Sequence, residues 1–193
     1  MLQHQQLPNP TIFESREGTV QFATKFTGDC YNWNRQRLYA RERRTMLMPT
    51  RILVPTDFSE YSDRALGQAL DIARQYKAKV FLLHVVHEDI YRAALEFALS
   101  EEAVQQFREG TVAWAQESLQ KQLAYFPQAK ELEVVTNVRW GIPYNEILKE
   151  GKEQGIDLIV IASLGRGGIA KYLIGSVARN VLKGSKCPVL LAK

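Results

Sequence analysis

IVIASLGRGGIAKYLIGS, residues 159–176, joins three different kinds of sequence in eighteen positions. An apolar run, Leu158 to Ile161, has the length and composition of a buried strand. A loop of small residues follows: Ala162, Ser163, Gly165, Gly167 and Gly168. Gly175-Ser176 then opens a helical pattern through Val177, Asn180 and Val181. A strand that feeds a glycine loop and a helix N-terminus can cradle phosphate. The glycines let the backbone come close, its N–H groups point at the oxygens, and the helix end carries partial positive charge. The loop is not a Walker A sequence, because GxxxxGK[ST] does not occur, and Ala170 interrupts GxGxxG. A nucleotide loop and a plain turn both remain open from these residues alone.

Working outward from this loop, the chain alternates short apolar runs with helical patterns. Ile52-Leu53-Val54 reads as a strand ended by Pro55, followed by the polar turn Thr56-Asp57-Phe58-Ser59. Ser59 is placed to N-cap a helix whose apolar face is Ala65, Leu66, Ala69, Leu70, Ile72 and Ala73. KVFLLHVV, residues 79–86, is a second strand, apolar enough to be covered on both faces. Its His84 reads as a rim or core histidine with a satisfied hydrogen bond in preference to a catalytic one. Ser100-Glu101-Glu102 opens a helix running to about Tyr125, on which Phe107 and Trp114 read as packing residues. Residues 132–138 form a third strand, and Trp140-Gly141-Ile142-Pro143 a turn whose proline suits the first turn of a helix. That helix turns Ile147 and Leu148 inward and ends near Gly155. Residues 156–162 form the fourth strand, residues 176–183 a helix with Gly184 at its C-cap, and residues 187–192 a fifth strand.

This order, β-α-β-α-β-α-β-α-β, predicts an α/β fold: an open five-stranded parallel sheet with helices on both faces. Ligands of such sheets bind outside the carboxyl ends of the strands, where the strand order reverses. With order 3-2-1-4-5 the crevice lies between the first and fourth strands. Asp57, just past the first strand, then comes next to the glycine loop.

Bulk properties narrow the function classes. The 193 residues carry 25 Lys and Arg against 21 Asp and Glu. Residues 1–48 hold seven of the basic and four of the acidic side chains, so residues 49–193 are nearly neutral. No specific nucleic-acid partner is expected of so balanced a domain. Apolar runs are too short for a membrane span, and the first residues lack the pattern of a secretory leader, so the expected location is the cytoplasm. Cys30 and Cys187 stand far apart and form no metal-ligand spacing with His4, His84 or His87. Residues 1–48 read as a poorly ordered extension ahead of a domain over 49–193, with a short helix over 34–44 as one possibility inside it. An arm for an acidic partner or membrane surface, and translation starting at Met46 or Met48, are alternative readings.

From about Thr50 to Lys193 the chain resembles a universal stress protein of the UspA type. The matching residues are Ile52-Leu53-Val54-Pro55-Thr56-Asp57-Phe58-Ser59, Leu83-His84-Val85, Gly141-Ile142-Pro143, Gly165-Arg166-Gly167-Gly168, Gly175-Ser176-Val177 and Cys187-Pro188-Val189-Leu190. The resemblance implies a Rossmann-like fold and a site for ATP or another adenine nucleotide with Mg²⁺. The nucleotide-binding branch carries Gly-x2-Gly-x9-Gly-[Ser/Thr]. Here those positions are Ala162, Gly165, Gly175 and Ser176, with alanine in place of the first glycine. By the same resemblance, Asp57 lies near the ribose and the metal-phosphate region, with Pro55 and Thr56 shaping that wall, and Val85 faces the adenine. Gly165, Arg166, Gly175, Ser176 and Val177 offer backbone N–H groups, and Ser176 a hydroxyl, to the phosphates. Arg166 as a solvated charge, Asp57 as a turn former and Ser176 as an N-cap are the structural alternatives. The resemblance also implies a homodimer through the C-terminal strand. The resulting expectation is a nucleotide-responsive stress-response module. The alternatives are a slow Mg²⁺-dependent ATP hydrolase and a nucleotide-free dimeric scaffold.

Overall fold

The computed structural model describes residues 11–14, 20–23, 48–97, 100–165 and 174–193. The chain divides into two units, residues 1–47 and 48–193. Within the first, Thr11–Glu14 pairs antiparallel with Val20–Ala23, in register Thr11↔Ala23. The short helix considered over 34–44 lies outside the described residues.

In the second unit we label the elements in chain order. They are β1 (Arg51–Thr56), α1 (Glu60–Tyr76), β2 (Lys79–His87), α2 (Glu88–Phe97), α3 (Glu101–Ala124), β3 (Val134–Gly141), α4 (Pro143–Glu153), β4 (Leu158–Ala162), α5 (Ser176–Gly184) and β5 (Val189–Ala192). A 3-10 turn, Pro127–Glu131, lies between α3 and β3. The sheet is parallel, with order β3-β2-β1-β4-β5, which is the predicted 3-2-1-4-5.

Strand alternation builds two cores. Ile52 and Val54 of β1 point to one face, with Leu66 and Leu70 of α1 and Leu119 of α3. Leu53, between them, points to the other face, with Ile147 of α4 and Ala178 and Val181 of α5. Both faces of β1 and β4 are therefore dry, which is why these strands read as unbroken apolar runs.

The helix ends follow the sequence chemistry. The Ser59 hydroxyl accepts from Ser62 N at the start of α1, and Ser100 caps α3 in the same way from Ala103 N. Pro143 occupies the first turn of α4.

Several expected boundaries move. β1 runs through Pro55 to Thr56, because a proline only forfeits one donor and Pro55 still takes its place opposite Leu83. β3 starts at Val134 and continues through Trp140 to Gly141, which lies opposite His87, so the expected turn is shorter and begins at Ile142. Gly184 ends α5 without acting as a left-handed cap. A Cβ there would lie 2.5 Å from Leu148 Cδ1, so the glycine serves the approach of α5 to α4.

Opposite ends of the sheet are finished differently. At the amino end, the Asp157 carboxylate accepts from Thr50 N, Thr50 Oγ1 and Arg51 N at 2.7–3.1 Å, tying the entry of β4 to the entry of β1. From there β1 pairs with β4 at Ile52↔Leu158 and Leu53↔Ile159, against six paired positions with β2. Toward the carboxyl ends β1 and β4 part, and a cavity occupies the gap.

Candidate functional site

That cavity has a volume of about 510 Å³, within the usual range for a small-molecule site. Nine of the ten residues singled out from sequence line it. Pro55, Thr56 and Asp57 come from the end of β1, and Val85 from β2. Ala162 ends β4 and Gly165 follows it, while Gly175, Ser176 and Val177 enter α5. The tenth, Arg166, lies outside the described residues.

The cavity has two chemical sides. Leu83, Val85, Ile147 and Ile161 give it an apolar wall. Gly175 and Ser176 bring to it the start of a helix with no side-chain cap. The N-cap is Gly175, not Ser176, which is the first residue of the helix proper. Glycine has no side chain to cap with, so the first-turn N–H groups of α5 stay available to an anion. Gly175 is pinned by its own N–H, which donates to Ser163 O at 2.8 Å. A Cβ at Gly175 would meet Ser163 O at 3.5 Å, an ordinary contact.

Asp57 is the one carboxylate among the described lining residues. Its Oδ1 accepts from Ser59 N at 3.1 Å and Ser59 Oγ at 2.6 Å. Its Oδ2 would be 2.8 Å from a Cβ at Gly165, so the carboxylate rests directly over the glycine backbone of the β4 loop. The turn-forming role and a place on the cavity wall therefore coexist in one side chain. Among the described residues, no group of three or more His, Cys, Asp and Glu could hold a metal ion. A single carboxylate suits a Mg²⁺ ion that arrives with its own phosphate oxygens and water.

His84 lines the cavity, with Nδ1 2.9 Å from Thr56 O, so its reading as a rim histidine with a hydrogen bond describes its position. Its ring stacks on Phe58 at 4.4 Å between centroids, and Trp114 of α3 meets both rings edge-on. Phe58 itself is left-handed, φ 62°, a conformation that a bulky residue rarely adopts. Sequence reasoning missed Gln122, which is buried on α3 and touches the Thr56 hydroxyl at 3.0 Å. Its signal was its place on the stripe Ala115, Leu119, Gln122, where a polar residue needs a partner.

Beside the cavity, Arg139 of β3 pairs with Glu146 at 3.3 Å and with Glu150 and Glu153, all on α4. Burial would lower the Arg139 pKa, but its hydrogen bond to Glu153, the charge of Glu150 and the bonds to Glu146 and Glu150 outweigh this and raise it. The hydrogen bond from Arg139 holds the Glu153 carboxyl below its ordinary range. This clamp ties β3 to α4 along the helix from Glu146 to its end at Glu153, and Pro143 and Ile147 of the same helix line the cavity.

Comparison with known proteins gives the family. A model described as "Universal stress protein family" matches residues 48–193. Universal stress protein MJ0577 of Methanocaldococcus jannaschii is 33% identical over 158 residues, covering 76% of this chain and 96% of that protein. A solved structure of MJ0577 superposes with a TM-score of 0.65 over 76% of this chain and 96% of its own. Universal stress protein MJ0531 of the same organism is 32% identical over 145 residues, 74% of this chain and 81% of the relative. A universal stress protein solved in complex with cAMP shares the fold, with a TM-score of 0.54 at 24% identity over 75% of this chain and 97% of its own.

Proposed function

The chain belongs to the universal stress protein family, and on that premise we propose that it binds an adenine nucleotide, ATP with Mg²⁺ in the first instance. It acts as a nucleotide-responsive module of the cytoplasm. One observation carries the reading. A single cavity offers an apolar wall at Val85 and Ile147, an uncapped helix start at Gly175-Ser176, and the Asp57 carboxylate. An aromatic base suits the apolar wall, a phosphate suits the helix start, and a ribose hydroxyl or a phosphate-bound Mg²⁺ suits the carboxylate. Arg166 is assigned to the phosphates on the family motif alone.

Titration calorimetry of the full chain with ATP and Mg²⁺ tests this. Saturable one-site binding, weakened in Asp57→Ala, is the expected outcome. No heat, no thermal shift with added ATP and Mg²⁺, and no adenine nucleotide released on denaturing the purified protein would overturn the reading.

We also assign the module a homodimer through β5. That strand is at the sheet edge, and its Leu190 is exposed. Sedimentation should give twice the chain mass for the wild type and a monomer for Leu190→Glu.

A further inference from the structure

Thr56 lines the cavity, and its hydroxyl is the junction of a buried polar relay that reaches α3. It accepts from Phe58 N at 3.0 Å and has two acceptors for its single proton, Ser62 Oγ and Gln122 Oε1, each at 3.0 Å. Gln122 cannot turn its amide over freely, because its Nε2 donates to Asp63 Oδ1 at 2.6 Å. Ser62 Oγ has an acceptor of its own in Ser59 O at 2.7 Å. Thr56, Ser62 and Gln122 are all buried, so the two bonds that the Thr56 hydroxyl can donate are made without competing water. The bond to Phe58 N holds the left-handed turn, and that turn sets Ser59, whose N–H and hydroxyl hold Asp57 Oδ1. Trp114, two helical turns before Gln122 on α3, braces the Phe58 ring from outside.

We propose that Gln122 is a positioning residue for the ligand site. It directs the Thr56 proton, Thr56 fixes the Phe58 turn, and the turn aims the Asp57 carboxylate into the cavity. Gln122 touches no ligand. It makes α3 the helix whose placement follows the state of the site. This rests on the nucleotide reading above for its ligand, although the relay itself does not depend on it.

Two substitutions separate positioning from stability. Gln122→Met keeps the volume and removes one of the two acceptors for Thr56, leaving Ser62 Oγ. Gln122→Glu keeps an acceptor for Thr56 but sets a carboxylate against Asp63. With ATP and Mg²⁺ as the probe, Gln122→Met should weaken binding about three- to tenfold, the worth of one neutral hydrogen bond. Thr56→Val should lose about as much, and the double variant no more than either. Gln122→Glu should bind within about twofold of wild type while losing more thermal stability, since like charges at hydrogen-bond distance repel. Without ligand, the Phe58 and Ser59 amide resonances should move in Gln122→Met and in Thr56→Val. Unmoved amides in Gln122→Met, affinities that simply follow melting temperature, or losses that add in the double variant would overturn the proposal. If the wild-type chain binds no ATP, the nucleotide reading falls by itself, and the ligand-free amide shifts then decide the positioning role.

Discussion

Asp57 Oδ2 occupies space that a side chain at Gly165 would need: a Cβ built there comes within 2.8 Å of it. The two residues belong to loops that follow neighbouring strands, more than a hundred positions apart in sequence. The glycine is thus a seat for a carboxylate, and its backbone does not need the left-handed region. Gly165→Ala should displace the carboxylate, whose other oxygen is held by Ser59. The atom that must yield ends a short side chain, so unfolding free energy should change by less than about 1 kcal/mol. Binding of ATP with Mg²⁺ should fall about tenfold by calorimetry. In an Asp57→Ala background the added methyl should cost nothing further.

Ala162 ends β4 on the cavity wall, opposite Ala192 in the ladder. Ala162→Gly should leave nucleotide affinity equal or raise it, because one methyl group leaves the ligand's approach. Unfolding free energy should drop by roughly 0.5–1 kcal/mol, since glycine loses more backbone freedom on folding. Denaturant titration and calorimetry on the same preparation check both halves.

Gly141 ends β3 with φ 147°, and a Cβ there would lie 2.9 Å from Glu146 Cγ. Gly141→Ala therefore meets both backbone strain and the side chain that pairs with Arg139. A loss of about 1–3 kcal/mol in chemical denaturation is expected.

The Arg139 clamp predicts an acid limb. Unfolded, the Glu153 carboxyl protonates near its ordinary value of 4.5, and in the folded chain its hydrogen bond to Arg139 lowers that value. Between the two values the unfolded chain binds more protons, so stability falls as pH falls through this window. At neutral pH the contribution is fully present. Denaturation midpoints measured from pH 7 to pH 3 should fall less steeply in Glu153→Gln than in wild type. Because Glu153 is exposed, added salt should narrow the difference.

Much of this was readable from the residues because the deciding signals are local. The Ser59 cap, the Pro143 start and the apolar stripe of α1 each specify a helix within a few positions. The unbroken run of β4 announces burial on both faces. What escaped depends on partners distant in sequence. Trp140-Gly141 resembles a turn until β2 supplies His87 across the ladder. Gly184 resembles a cap until Leu148 appears against it. Nine chosen site residues meet in one cavity because they lie at or near the carboxyl ends of strands or at the helix start that follows, and these gather where the order reverses. Gln122 stayed hidden because its role comes from Thr56, 66 positions away.

The Asp157 fastening at the amino end of the sheet has an engineering consequence. It joins β1 to β4 with no help from the loops at the opposite end. The joint that sets β1 against β4 is thereby separate from the residues that line the cavity. Substitutions on the cavity wall can therefore be compared with one another while Thr50, Arg51 and Asp157 keep these two strands in register.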